Sequence, residues 1–243
     1  MLEGLYTAAA GMAAQQQRMD ALSNDVANVN TAGYKRVRIG FRDLVYQQDG
    51  PTGVRTGSGA AATQIGRGFQ QGSFQQTGEP FDLAIGGEGY FQVRRSDTGQ
   101  TALTRNGSFR LDASGQLVTA DGDRLVPPIQ LPRNVDPKAV NIASDGTVSA
   151  AGRRIGQIQL VTVPAPTGLA AAGSGLYTVT AASGGVRPAG AGGQIQQGIL
   201  EASNVDLADA MVDMMDAQRS YSMASKAIHM QDQMMEIANG VKQ

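Results

Sequence analysis

The chain has 243 residues and a formal net charge of −1, which is enough length to bury a core in one large or two modest domains and gives no electrostatic case for nucleic acid. It has no cysteine, which excludes a disulfide framework, a thiol nucleophile and a cysteine-based zinc site. No apolar run approaches the roughly 18 residues that cross a bilayer, and the opening MLEGLYTAAAGMAAQQQ lacks a cationic head and a continuous apolar stretch, so neither membrane insertion nor a cleaved signal peptide is expected.

In chain order, the first predicted element is a helix. Leu5, Met12, Met19 and Val26 recur every seven residues, and Ala8, Leu22 and Val29 stand three residues after members of that series. This is an a/d stripe, with Gln15 as its polar exception. The helix runs into LSNDVANVNTAGYKR. Asn28, Asn30 and Thr31 can bond their own backbone and stop it, and Gly33 can take a left-handed turn. Lys35 and Arg36 then stand at the exit, available to carboxylates or carbonyls of a neighbouring subunit.

Residues 47–64, QQDGPTGVRTGSGAAATQ, read as a loop or extended stretch of small residues. From residue 72 to 182 the pattern changes to period two. YFQVRR, TALTR, SFRLD, GQLVTA, GQIQLVTV and GLYTVTA read as short strands, and DASG, TADGD and ASDG as turns. The 32 glycines and the absence of tryptophan suit such a turn-rich β domain. Residues 183–203 read as a flexible return linker. A second helix follows, with Leu207, Met214, Tyr221, Ile228 and Met235 seven apart and Ala210, Ala217, Ala224 and Ala238 three later. Ser203 followed by Asp206 resembles a capping box, which sets the start near Asn204; the end falls near Gly240.

The expected fold is therefore mainly β with α-helical ends. The terminal helices, 1–32 with 204–243, form a coiled coil around an inserted antiparallel β domain at 72–182. Residues 33–71 are a junction and extended segment, and 183–203 a linker. Two helices bury little area alone, so other copies of the chain are the expected partners.

No catalytic, cofactor or metal site is expected. The methionines of the second helix suit adaptable packing. His229 is the only histidine and lacks triad or metal partners. AIGGEGYF lacks the lysine of a phosphate loop, and the carboxylates of DASG and TADGDR lack the further ligands of a calcium loop.

Several segments resemble the bacterial flagellar axial proteins, the rod and hook subunits. The first signature matches at Asn24, Ala27, Asn28, Thr31, Gly33, Tyr34 and Lys35. The second matches at Gly198, Leu200, Glu201, Ser203, Asn204 and Val205, then along the helix at Met214, Gln218, Arg219 and Tyr221. DLAIGGEGYFQV and LTRNGSFRLDASGQLVTADG are similar to the β-domain segments of these proteins, so the resemblance covers nearly the whole chain in order. Residues 43–68 resemble a segment carried by distal rod subunits and lacking in typical hook subunits. The resemblance implies a non-enzymatic structural subunit of the basal-body rod, polymerising into a hollow helical tube that transmits torque and passes exported subunits. It implies export through the flagellar type III apparatus, with FRDLV at 41–45 similar to the motif that engages the export gate, and a place in the cell envelope. Implied partners are further copies, other rod and hook proteins, the export apparatus, and the bushing rings and peptidoglycan around the rod. A proximal rod or hook-type subunit is the alternative, and a secreted β-rich adhesin or envelope enzyme module the alternative of another class.

Overall fold

A computed structural model of the chain describes residues 2–44, 47–48, 55–56, 59–132 and 136–240. It has a helix at each end and a β-rich antiparallel middle. The chain divides into two compact units. One comprises Met1–Ala27, Val37–Gly66 and Asp206–Gln243; the other comprises Asn28–Arg36 and Arg67–Val205.

In the first unit, α1 (Leu2–Ala27) and α2 (Leu207–Gly240) lie antiparallel against each other. Gly4 abuts the side chain of Gln231, and Arg18 Nη2 bonds Asp213 Oδ1 at 2.9 Å. Alanines at the contact let the helices approach closely: Ala14, Ala210 and Ala217 are buried, as is Leu22. Leu5, Met12, Met19, Val26, Met214, Ile228 and Met235 are half-buried, whereas Leu207 and Tyr221 face outward. A strict seven-residue series drifts by about 20° per heptad on a straight helix, so its members cannot all meet one neighbour.

The second helix starts at Leu207 rather than near Asn204. Asp206 Oδ1 accepts from the backbone N–H of Ala208 and Asp209, at 2.8 and 3.2 Å, and is the cap. Ser203 Oγ is taken by the N–H of Val205 instead. The described parts of the 47–64 segment are extended and paired. The Val37–Asp43 strand pairs with Ala60–Arg67, and Gln47–Gln48 pairs antiparallel with Arg55–Thr56. Gly59 (φ +98°) lies against α1, and a Cβ there would stand 3.0 Å from that of Ala10. Pro51, Gly57 and Val45 of the segments discussed above lie outside the described residues.

The second unit is a β domain whose central strand, Tyr90–Arg94, is covered on both faces. One edge pairs with Thr101–Thr104. The other is shared between Leu160–Thr162, opposite Tyr90 and Phe91, and Arg124–Val126, opposite Gln92 to Arg94. Successive side chains of a strand point to opposite faces. Phe91 and Val93 accordingly enter the larger core with Leu83, Ile85, Val148 and Ile195, and Tyr90 joins Leu103, Val161 and Tyr177 in a second cluster.

Residues 183–203 are not a linker. Gly193–Gln197 pairs with Leu83–Gly87, and Ile199–Glu201 pairs with Phe74–Gln76. Small-residue composition reports freedom in the unfolded chain, and here a full register of backbone hydrogen bonds removes that freedom.

Candidate functional site

Gly33 to Arg36 and Glu201 to Val205, the cores of the two terminal signatures, meet inside the β unit. Helix α1 stops at Ala27. Asn28 O then accepts from Thr31 N–H at 3.1 Å, Thr31 Oγ1 bonds Asn28 Oδ1 at 3.2 Å, and Thr31 O accepts from Tyr34 N–H at 3.2 Å. Gly33 takes the left-handed conformation at φ +69°. A Cβ at that position would fall 2.6 Å from the backbone nitrogen of Asn106, so both the turn and the close approach require glycine. Its N–H donates to Glu201 O at 2.7 Å.

Lys35 and Glu201 form a fully buried ion pair, Nζ to Oε1 at 2.5 Å. The arrangement satisfies the remaining valences. Lys35 Nζ also donates to Gln70 O at 2.8 Å, Glu201 Oε1 accepts from Gly72 N–H at 3.0 Å, and Glu201 Oε2 faces Arg105 Nη1 at 3.3 Å. Arg105 reaches on to Gly87 O at 2.9 Å. Burial holds the Lys35 ammonium below the ordinary lysine pKa, and the Glu201 carboxylate beside it opposes that shift.

Asn204 closes the arrangement through both ends of its amide. Its Oδ1 accepts from Arg36 N–H at 2.7 Å, and its Nδ2 donates to Gly68 O and Gln70 O at 2.6 and 3.0 Å. Around this polar centre stand aromatic rings. The Arg67 guanidinium lies 5.4 Å from the centre of Tyr34 and 5.9 Å from that of Tyr177, and Arg105 lies 5.3 Å from Tyr90. Phe69 sits edge-on to Tyr90 and Tyr177. Burial raises the pKa of both tyrosines.

Gly33, Tyr34, Lys35, Glu201, Ser203, Asn204 and Val205 are thus brought together with Asn28 and Thr31 at the approach, while Asn24 and Ala27 occupy exposed positions on α1. Lys35 is spent on its own chain and does not present its charge to a neighbour. Two participants were missed by the sequence reading. Arg67 and Arg105 sit in segments read as loop end and strand end, and no local spacing marks their partners. Within the helix unit, Asp25, buried beside the α1 stripe, accepts from Val37 N–H at 3.1 Å; an acid next to a seam was the available signal for it. The carboxylates of DASG and ASDG are turn formers. Hydrogen bonds from Ser114 hold Asp112 below the usual carboxylate range, and those from Thr147 do the same for Asp145.

Residues 84–150 match the family described as flagellar hook protein FlgE/F/G D1 domain, residues 196–241 the flagellar basal body rod FlgEFG protein C-terminal family, and residues 5–35 the flagella basal body rod protein family. The chain is similar to the flagellar basal-body rod protein FlgG of Borreliella burgdorferi, 38% identical over 264 residues that cover 100% of this chain and 99% of that one. It is 38% identical to the protein of the same description from Caulobacter vibrioides, over 99% of this chain and 100% of that one. It is 31% identical to the flagellar hook-basal body complex protein FlhP of Bacillus subtilis over 100% of both.

Proposed function

The chain belongs to the flagellar basal-body rod protein family, and from that premise we propose that it is the structural subunit of the distal rod. Copies polymerise into a hollow helical tube that carries torque to the hook and passes exported subunits through its centre. The role is mechanical and not enzymatic. The observation that supports it most directly is the buried junction between the two terminal signatures. A subunit under load needs its two signature segments held firmly together within the β unit, and a sealed ion pair with glycine and asparagine locks supplies that hold. Full-length similarity to FlgG proteins supports the distal subtype over a proximal rod or hook-type subunit, and over an adhesin or envelope enzyme.

In the assembled rod the terminal helices form a coiled-coil layer that lines the tube. Strand Val37–Asp43 and Gly59, which lie against α1, stiffen that layer. The subunit passes through the flagellar type III export apparatus. In the envelope it adjoins other rod and hook proteins, and the bushing rings and peptidoglycan that surround the rod. Electron microscopy of basal bodies from a strain lacking this gene tests the assignment: proximal structures should remain and the distal rod and hook should be missing. Intact distal rods in that strain reject it.

A further inference from the structure

The sheet built on Tyr90–Arg94 carries a row of arginines on the face away from the larger core. Arg94 lies opposite Arg124, Arg124 opposite Val118, and Val118 opposite Arg110. Residues opposite one another across a sheet share a face. Their chain neighbours Val93, Leu125, Leu117 and Leu111 pack in or against the core, so the row lies on the other side. The three arginines are exposed and Val118 is half-buried. Among the described residues none of the three arginines is in an ion pair. Asp112, whose carboxylate feels Arg124, already accepts from Ser114 and from the backbone of its own turn. Like charges set directly opposite each other destabilise a sheet, so Arg94 and Arg124 carry a cost that an anionic partner removes.

A row of opposite sign opens α2. Asp206, Asp209, Val212 and Asp216 stand three, three and four residues apart, on one side of the helix, and all four are exposed. Asp213, which lies among them, is held by Arg18. Asp206 uses Oδ1 for the cap, which leaves Oδ2 open to a second partner. The two rows have matching spacings. Strands about 4.8 Å apart place Arg94, Arg124, Val118 and Arg110 at roughly 0, 5, 10 and 14 Å along the row. A rise of about 1.5 Å per residue places Asp206, Asp209, Val212 and Asp216 at roughly 0, 4.5, 9 and 15 Å. Each row reads charge, charge, valine, charge. One direction of docking therefore pairs three arginines with three aspartates and sets valine on valine, whereas the reverse direction puts a valine against a charge twice.

We propose that the arginine row on the β unit of one copy seats the acidic start of α2 from a second copy. Among the described residues no ion pair joins the two rows within one chain. Exposed pairs are individually weak, so the rows set the register of neighbouring copies more than their affinity. The two surfaces differ, so the contact repeats in one direction and builds a ring or helix rather than a closed dimer. The inference rests on the rod-subunit reading and adds to it a surface of the β unit and the segment that it receives.

The natural absence of cysteine lets a disulfide report the contact directly. Val118→Cys is combined with Val212→Cys in cells lacking the native gene, and basal bodies are oxidised with copper phenanthroline. The double variant should give a ladder of linked subunits, and neither single variant should link. Basal bodies that contain the double variant and give no ladder, or a linked dimer from either single variant, overturn the proposal and leave the rod reading intact. Absence of the unmodified chain from basal bodies overturns the rod reading and the contact with it. Should the double variant fail to assemble, charge reversal decides. Arg94→Glu with Arg124→Glu, and separately Asp209→Arg with Asp216→Arg, should each impair swimming, and the four substitutions together should restore it. Swimming unchanged by both pairs, or no better in the combination than in the pairs, overturns the proposal.

Discussion

Glu201 holds two cations out of water, Lys35 and Arg105, and the consequences of removing a charge depend on which one goes. Glu201→Gln strands both cations, and its expected cost is about 3–5 kcal/mol. Lys35→Met leaves Glu201 with Arg105 and the Gly72 N–H, so its cost should be distinctly smaller. Urea unfolding of the two variants, followed by tyrosine fluorescence, checks the order. The tyrosines give a pH prediction. Burial raises the Tyr90 and Tyr177 values above the ordinary 10.0, so the folded state binds their protons more tightly than the unfolded chain. Their contribution to stability is complete below pH 10 and is lost as pH rises through the folded values. Thermal melting measured from pH 9 upward should show a fall that begins near pH 10, and tyrosinate absorbance should lag behind that of free tyrosine. Sequence resemblance marked Gly33, Lys35, Glu201 and Asn204, yet not their mutual contacts. Lys35 and Glu201 are 166 residues apart, and no local rule of spacing carries a pairing over that distance.

Elements were legible where their signal is periodic and obscure where it is shared. Both terminal helices follow from their apolar series, and the six strand segments from alternation and turns. The start of α2 was misplaced because Ser203 and Asp206 are both competent caps, and only the hydrogen bonds distinguish them. The strands at 193–197 and 199–201 were missed because they are short, glycine- and glutamine-rich and follow a glycine-rich stretch, and their pairing with Leu83–Gly87 and Phe74–Gln76 is set by tertiary structure. Two predictions belong here. Leu22 is buried at the α1 contact, so Leu22→Asp should destabilise the helix unit by about 3 kcal/mol or more and abolish swimming, while circular dichroism still reports a folded β unit. At Gly59 a branched side chain meets both an unfavourable φ and the α1 surface. Gly59→Val should therefore loosen the paired strands from α1, seen as faster protease cleavage within residues 44–58 and unchanged protection of residues 81–131.

Across the whole molecule the two units differ in what holds them. Among the described residues, the fully buried apolar side chains of the helix unit are three alanines and one leucine, whereas the β unit contains two aromatic-bearing clusters. Hydrogen exchange on the isolated subunit should thus show α1 and α2 exchanging by local opening, well before the β unit. The ion pair also has a bearing on timing. Ile195 is the last residue of the larger core, so a chain emerging from its N-terminus can complete that core while Glu201 is still to come. Until it arrives, Lys35 has no carboxylate to meet and resists burial, so the segments at 28–36 and 67–72 stay open. A chain ending at Gly198 should show those two segments exchanging freely with solvent and the strands between 81 and 131 protected. The late carboxylate thereby acts as a completion signal: the segments that surround Lys35 close only after the chain has been delivered as far as Glu201.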